Sequence, residues 1–260
     1  MIADADLTHW RAVRPWPTDE QIEQDLVLSR LIVEIARHPL LGQELVFRGG
    51  TCLHQLWMDR PWRYSEDLDF VRRTAGGVGE ILDAIRDIAD IVGFDKVQTD
   101  VRRHPKARLD STFLGGQRMR IKIEMNTYER SPAEPLTTRP LSIDSPWFGG
   151  EADVVTFTLE ELVATKIRAL YQRRKGRDLF DMWLAVEEAN VTPEAIADCF
   201  GPYRPDGWEP YLAMDNLDAK LDDERFTSDL DGLITEWPES YSIEAGAAVA
   251  RAVIEAVGVG

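Results

Sequence analysis

Phe47-Arg48-Gly49-Gly50-Thr51 and, one turn later, Ser65-Glu66-Asp67-Leu68-Asp69-Phe70 are the two stretches that decide how this chain reads. The first closes a short apolar strand, Glu44-Leu45-Val46-Phe47, and its glycines lead into a short helix expected over residues 52–58. In the second, Asp67-Leu68-Asp69-Phe70-Val71 alternates polar and apolar residues like a half-buried strand. A period of two puts Asp67 and Asp69 on one face, with Leu68 and Phe70 on the other. Carboxylates that converge on one point repel each other unless a cation lies between them. A hard ion with oxygen ligands, Mg²⁺ or Mn²⁺, is the natural occupant, and magnesium takes one or two carboxylates and completes its shell with water and phosphate oxygens. The pair therefore reads as a nucleotide site. Gly49 and Gly50 let backbone N–H groups approach phosphate at a helix start, and the Thr51 hydroxyl is a further candidate donor.

Outward from these motifs, residues 18–38 are expected to form a helix, capped by Thr18 and carrying Ile22, Leu26, Ile32 and Ile35 near helical spacing. Residues 79–92 read as a second amphipathic helix and residues 97–103 as a strand. Residues 119–126 alternate strictly, which is the clearest strand signal in the chain. On that strand Glu124 shares a face with Lys122 and Asn126, opposite Ile121, Ile123 and Met125. A third carboxylate there would complete a two-metal arrangement with Asp67 and Asp69. Residues 131–150, with four prolines and a closing Gly149-Gly150, read as a loop with room for one short strand. From Thr158-Leu159-Glu160-Glu161, a capping-box sequence, the chain turns helical: to about residue 174, then 178–189, 192–200, short helices over 215–234 and a long one over 242–257. The expectation is an α+β fold: a mixed-sheet domain over residues 1–155 with an N-terminal helix, then a helical domain over 156–260 that completes the cleft.

Composition narrows the class. Apolar residues are 44% of the 260, enough for a packed core. No apolar run approaches the roughly 20 residues of a membrane helix, and the acidic start lacks the features of a secretory signal. Two distant cysteines, Cys52 and Cys199, make neither a disulfide framework nor a metal site, so a cytoplasmic setting is expected. The net charge is −16, yet it is unevenly placed: residues 181–260 hold four Lys or Arg against 18 Asp or Glu, whereas residues 46–180 are nearly balanced and hold most of the cations. A polyanion would dock on the middle of the chain.

Asp-x-Asp alone is usually a solvated strand face, and Gly-Gly-Thr alone is usually a turn. Their order here, strand, glycine turn, helix, acidic strand, later acidic strand, is what carries the reading. Arg48, Arg60 and Arg63 flank the motifs and are candidates for triphosphate or acceptor contacts, as is Ser65 for the nucleotide. Lys166 lies well inside a helix between Val163 and Ile167. It either pairs with Asp178 or Asp181 between helices or meets the triphosphate as a point charge. The basic runs over residues 102–108 and 173–177 read as solvated loops, with an RNA-backbone contact as the second reading. His9, His38, His54 and His104 show no metal spacing and no nucleophile partner.

Gly49-Gly50-Thr51 and Arg63-Tyr64-Ser65-Glu66-Asp67-Leu68-Asp69-Phe70 resemble the signature of the AbiEii/AbiGii toxin nucleotidyltransferases. Two later segments agree: Glu160-Glu161-Leu162-Val163-Ala164-Thr165-Lys166-Ile167-Arg168-Ala169-Leu170 and Arg177-Asp178-Leu179-Phe180-Asp181-Met182-Trp183. The likeness spans about residues 30–190. The one noted departure is Thr165, where the family usually has Glu. The resemblance implies a DNA polymerase β-like core and a type IV toxin of a toxin–antitoxin or abortive-infection system. It implies transfer of a nucleoside monophosphate from a nucleoside triphosphate to an acceptor, with tRNA 3′ ends used by some members and translation blocked. It also implies a cognate antitoxin as partner. It implies that the Arg-Asp-x-x-Asp element, with Asp178 or Asp181 as its functional acid, and Lys166 serve activity; with the strand reading above, catalysis falls to Asp67, Asp69, Lys166 and Asp178 with Glu124 assisting, metal to Asp67, Asp69 and Glu124, and nucleotide contacts to Arg48, Gly49, Gly50, Thr51, Ser65 and Lys166. The rival readings are a nucleotide-binding interaction module without transfer, a protein-modifying enzyme, and a metal-dependent nuclease.

Overall fold

In a computed structural model of the chain, residues 2–102 and 104–259 are described. Arg103 falls in the expected strand over 97–103 and in the basic run, and it lies outside them, as do Met1 and Gly260. The chain divides into two compact units, one of residues 1–130 and 136–156, the other of residues 131–135 and 157–260.

The first unit begins with two helices, α1 (Asp4–Val13) and α2 (Asp19–Arg37). Thr18 caps α2, its hydroxyl accepting from the Gln21 N–H at 3.2 Å while the Gln21 side chain accepts from the Thr18 N–H. α2 is buried on more than one face, so three of its polar residues must be satisfied inside. Asp25 accepts from Trp10 Nε1 at 2.9 Å and from Gln55 Nε2 at 3.0 Å, tying α1 and α2 to the helix that leaves the glycine turn. Glu23 accepts from the Leu114 N–H, and Gln24 donates to the Arg120 carbonyl. Buried polar groups with partners of this kind specify position rather than add much net stability.

A one-turn helix, α3 (Leu41–Glu44), leads into strand β1 (Leu45–Arg48), whose first three residues are buried. A short α4 (Gly49–Cys52) follows at once and widens into a π-turn over Leu53–Trp57. The remaining elements of the unit are β2 (Asp67–Arg72), α5 (Gly79–Val92), β3 (Lys96–Asp100), β4 (Lys106–Thr112), β5 (Arg118–Asn126), β6 (Thr137–Asp144) and β7 (Gly149–Thr156). They form one mixed sheet in the order β3-β4-β5-β2-β1-β7-β6. β2 runs antiparallel to β1 and parallel to β5.

Two expectations fail here for related reasons. Residues 131–150 are not a loop: β6 and β7 make a hairpin at the sheet edge, with Leu141 and Ile143 buried and the alternate residues outward. Pro140 is tolerated because β6 is an edge strand, where one missing N–H breaks no ladder. The basic run over 102–108 is not all loop either, since Lys106, Ala107 and Arg108 enter β4 with Ala107 fully buried.

The second unit is helical: α6 (Leu159–Gln172), α7 (Gly176–Glu187), α8 (Pro193–Asp198), α9 (Pro210–Leu221), α10 (Glu224–Thr227) and α11 (Ile243–Val259). Thr158 caps α6 by accepting from the Glu161 N–H, but the reciprocal half of the expected capping box is absent. The Glu161 carboxylate is fully buried and accepts instead from the Ala133 and Glu134 N–H groups and the Tyr203 hydroxyl. At the other end of α6, buried Lys220 donates to the free carbonyls of Leu170 and Tyr171. Burial lowers its ammonium to about 8. Phe180, Trp183 and Tyr241 pack edge-on and stacked beside α7. Among the described residues no helix is long and apolar enough to cross a membrane.

Candidate active site

The sheet register assembles the carboxylates. Arg48 on β1 stands opposite Asp69 on β2, Asp69 opposite Glu124 on β5, and Asp67 opposite Lys122. Leu68 and Phe70 are buried on the opposite face, with the Phe70 ring 5.0 Å from that of Phe47. Burying these two side chains is what commits Asp67 and Asp69 to the face away from the core, because a slip of one residue would reverse every side chain.

Asp69 is packed against the glycine turn. Gly49 has φ +85°, and a Cβ built there would lie 2.6 Å from Asp69 Oδ2. At Gly50 a Cβ would collide with the guanidinium of Arg63. Gly49 is thus favoured by its left-handed backbone, and a side chain at either glycine would have to shift a neighbour, Asp69 at Gly49 and the end of Arg63 at Gly50. Burial pushes the Asp69 carboxyl up, neighbouring Asp67 adds to that rise, and Arg48 opposes it.

Lys122 reaches across this group. Its Nζ lies 2.9 Å from Asp67 Oδ2 and 3.1 Å from Glu124 Oε2. Burial alone would lower this ammonium, but the two carboxylates hold it above its ordinary value. Glu124 is therefore beside Asp69 in register yet turned to Lys122. Among the described residues no three His, Cys, Asp or Glu side chains converge as a preformed metal cage would. The donor chemistry still fits magnesium: two acidic groups share one sheet face, with the Lys122 ammonium between Asp67 and Glu124. Such a pair suits an ion that completes its shell from water and phosphate.

Other expected contacts are placed differently. Thr51 is buried, and its Oγ1 lies 2.5 Å from the Asp67 carbonyl and 2.9 Å from Ser65 Oγ. These contacts pin the start of α4 to β2. Ser65 adjoins Gly50 through the same contact. Arg63 is buried and donates to the Tyr64 carbonyl. Arg48 pairs with Glu129 at 2.6 Å, and Arg60 stacks on Trp62. Lys122 is the residue that sequence reasoning left out of the site: only the parallel pairing of β2 with β5 brings it to Asp67.

Within the second unit, Lys166 shows the helix-to-helix pairing rather than an open phosphate contact. It is 4% exposed, with Nζ 2.7 Å from Asp181 Oδ2 and 3.3 Å from Asp178 Oδ1, and both aspartates are fully buried. Arg173 completes the cluster with a two-pronged contact to Asp178 at 2.6 and 2.7 Å.

The chain has relatives. Residues 30–241 match the family described as nucleotidyl transferase AbiEii toxin, type IV toxin–antitoxin system. The chain belongs to that family. As an AbiEii-family protein it is a nucleotidyltransferase, and the family implies a nucleotide substrate and an antitoxin partner. Its fold is similar to that of MenT4, a nucleotidyltransferase toxin from Mycobacterium tuberculosis, with TM-score 0.64 and 20% identity over 99% of this chain and 90% of that one. JHP933 from Helicobacter pylori is also similar, with TM-score 0.59 and 15% identity over 93% of each chain. No protein of curated function matches the sequence.

For this AbiEii-family site the Gly49–Asp69 contact makes a sharp expectation. Gly49→Ala must hold a side chain at φ +85° and displace the Asp69 carboxylate. The backbone strain costs about 1–2 kcal/mol, and misplacing a catalytic group by about 1 Å lowers turnover about 10²-fold. A melting curve and a transfer assay on the same preparation separate the two losses. Wild-type turnover in this variant would show that the contact does no positioning.

Proposed function

We propose that this AbiEii-family chain transfers a nucleoside monophosphate from a nucleoside triphosphate to an RNA acceptor, the 3′ end of tRNA, and thereby inhibits translation. The observation that carries this is Asp69 packed on the Gly49 turn, with Asp67 beside it on the same sheet face. Asp67 and Asp69 would hold magnesium, which supplies charge neutralisation at the triphosphate when bound. Gly49 and Gly50 allow the backbone at the start of α4 to approach the phosphates, with Ser65 and Arg48 at the margins of the turn. The acceptor hydroxyl attacks the α-phosphorus; its new P–O bond replaces the bond to the β-phosphate, and pyrophosphate leaves. The hydroxyl proton passes to a carboxylate of the set, Glu124 or one of the Asp pair, while Lys122 offsets local negative charge. This is phosphoryl transfer by positioning and electrostatics. Lys166, Asp178 and Asp181 enter the proposal as one buried charge cluster.

Incubation with each labelled triphosphate, Mg²⁺ and total RNA tests it, with products resolved on a denaturing gel. RNA lengthened by nucleotides, with release of pyrophosphate, is the expected result. Shortened RNA would replace the reading by a nuclease, and label on protein would replace it by protein modification. Nucleotide binding with no transfer to any acceptor would leave only an interaction module.

A further inference from the structure

On the sheet face that carries Asp67 and Asp69, the outer strands β5, β4 and β3 present a row of cations. β5 alternates strictly, with Met119, Ile121 and Ile123 buried and Arg118, Arg120 and Lys122 on the other side. The cross-strand partners of these three are Thr112, Asp110 and Arg108 on β4, and Lys96 on β3 stands opposite Asp110. Moving outward from Asp67, one therefore meets Lys122 and Arg108, then Arg120 and Lys96, then Arg118. Asp110 is the one carboxylate among them.

That carboxylate organises the patch. Asp110 is 6% exposed and bonds both Arg118, at 2.7 and 3.2 Å, and Arg120, at 2.8 Å. Two guanidiniums on one carboxylate leave a net positive charge, and the Arg118 and Arg120 side chains remain 59% and 45% exposed. Their positions are thus set in advance while most of their N–H donors face out, as a phosphate-binding surface requires. Among the described residues the side chains of Lys96 and Arg108 make no hydrogen bond or ion pair. Alternate residues on a strand are about 6.8 Å apart, so Arg118 to Lys122 spans roughly 14 Å. This is a concentration of exposed cations on a chain of net charge −16.

We infer that this face is the acceptor's docking platform: the backbone of an RNA crosses β4 and β5 by sequence-independent phosphate contacts and delivers its end to Asp67 and Asp69. The inference rests on the RNA-acceptor reading above. Charge complementarity selects a polyanion, and continuity with the carboxylate pair selects the acceptor over an unrelated ligand.

The test compares the full-length wild type with Arg118→Gln/Arg120→Gln and, separately, Lys96→Gln/Arg108→Gln. Glutamine can still donate to Asp110, and Lys96 and Arg108 have no such bond to lose, so folding is preserved in at least the second variant. Binding of fluorescent tRNA is titrated across salt concentrations, ATP·Mg²⁺ affinity is measured by calorimetry, and transfer to RNA is followed in parallel. Each double variant should make the slope of log K against log salt shallower by about 1.4–1.8, the value for two lost phosphate contacts, with ATP affinity unchanged. Unchanged slopes in both variants, or no RNA binding by the wild type, overturn the platform. Equal and equally variant-sensitive binding of polyglutamate would overturn it in favour of an acidic protein partner. Transfer by a wild type whose salt slope ignores these residues removes only this inference. RNA binding through them without any transfer removes the proposed reaction and leaves the platform standing.

Discussion

Asp69→Asn is expected to lower nucleotide transfer by about 10²–10³-fold or more while its melting temperature stays level or rises slightly. Asparagine has nearly the same shape, so the packing on Gly49 survives. What is lost is one negative charge from a face that also holds Asp67 and Glu124. Folding brings these like charges together at a cost, and removing one relieves it. Activity and stability then move in opposite directions, as they do where a site is kept strained for chemistry. Asp67→Asn should lower transfer by a similar factor. It gives up the ion pair with half-exposed Lys122, which is worth less than about 1 kcal/mol. Turnover and thermal melting measured on the same samples decide the matter. Near-wild-type transfer by Asp69→Asn would reject the carboxylate pair as the catalytic centre, and a collapse in melting temperature would show that Asp69 serves the fold instead.

The second large effect is on stability. Lys166→Ala should cost about 3–5 kcal/mol, because it removes the ammonium that pairs with the fully buried carboxylates of Asp181 and Asp178. For a chain of this size that is a fall in melting temperature of about 6–20 °C. A paired replacement, Lys166→Met with Asp181→Leu, should recover most of the loss, since Asp178 keeps both bonds from Arg173. A lysine that only met phosphate would behave differently: its alanine variant would keep the melting temperature and lose nucleotide affinity. Calorimetric melting of the single and double variants distinguishes these outcomes.

Much of the site was legible in the chain itself, and the reason is local periodicity. The Asp67-Leu68-Asp69-Phe70 alternation put two acids on one strand face, and Gly49-Gly50 marked a turn that tolerates close approach. The long helices of Asp19–Arg37 and Gly79–Val92 were equally plain, because their apolar residues recur at helical spacing without interruption. The β6–β7 hairpin was hidden because Pro140 and the paired glycines mimic a loop; only the knowledge that β6 is an edge makes that proline acceptable. Thr51 and Arg63 stand out in the sequence because their polar groups sit beside the motif, but only the structure shows that each also bonds a backbone carbonyl, Asp67 for Thr51 and Tyr64 for Arg63.

The sequence by itself determined which side chains share a strand face and where the glycine turn falls, since both follow from dihedral preference and a two-residue period. Strand order and register were decided by tertiary structure alone, because they depend on burying apolar faces far apart in the chain. Pairing β2 with β5 is what set Lys122 between Asp67 and Glu124, and burying α6 against α7 is what closed Lys166 onto Asp178 and Asp181.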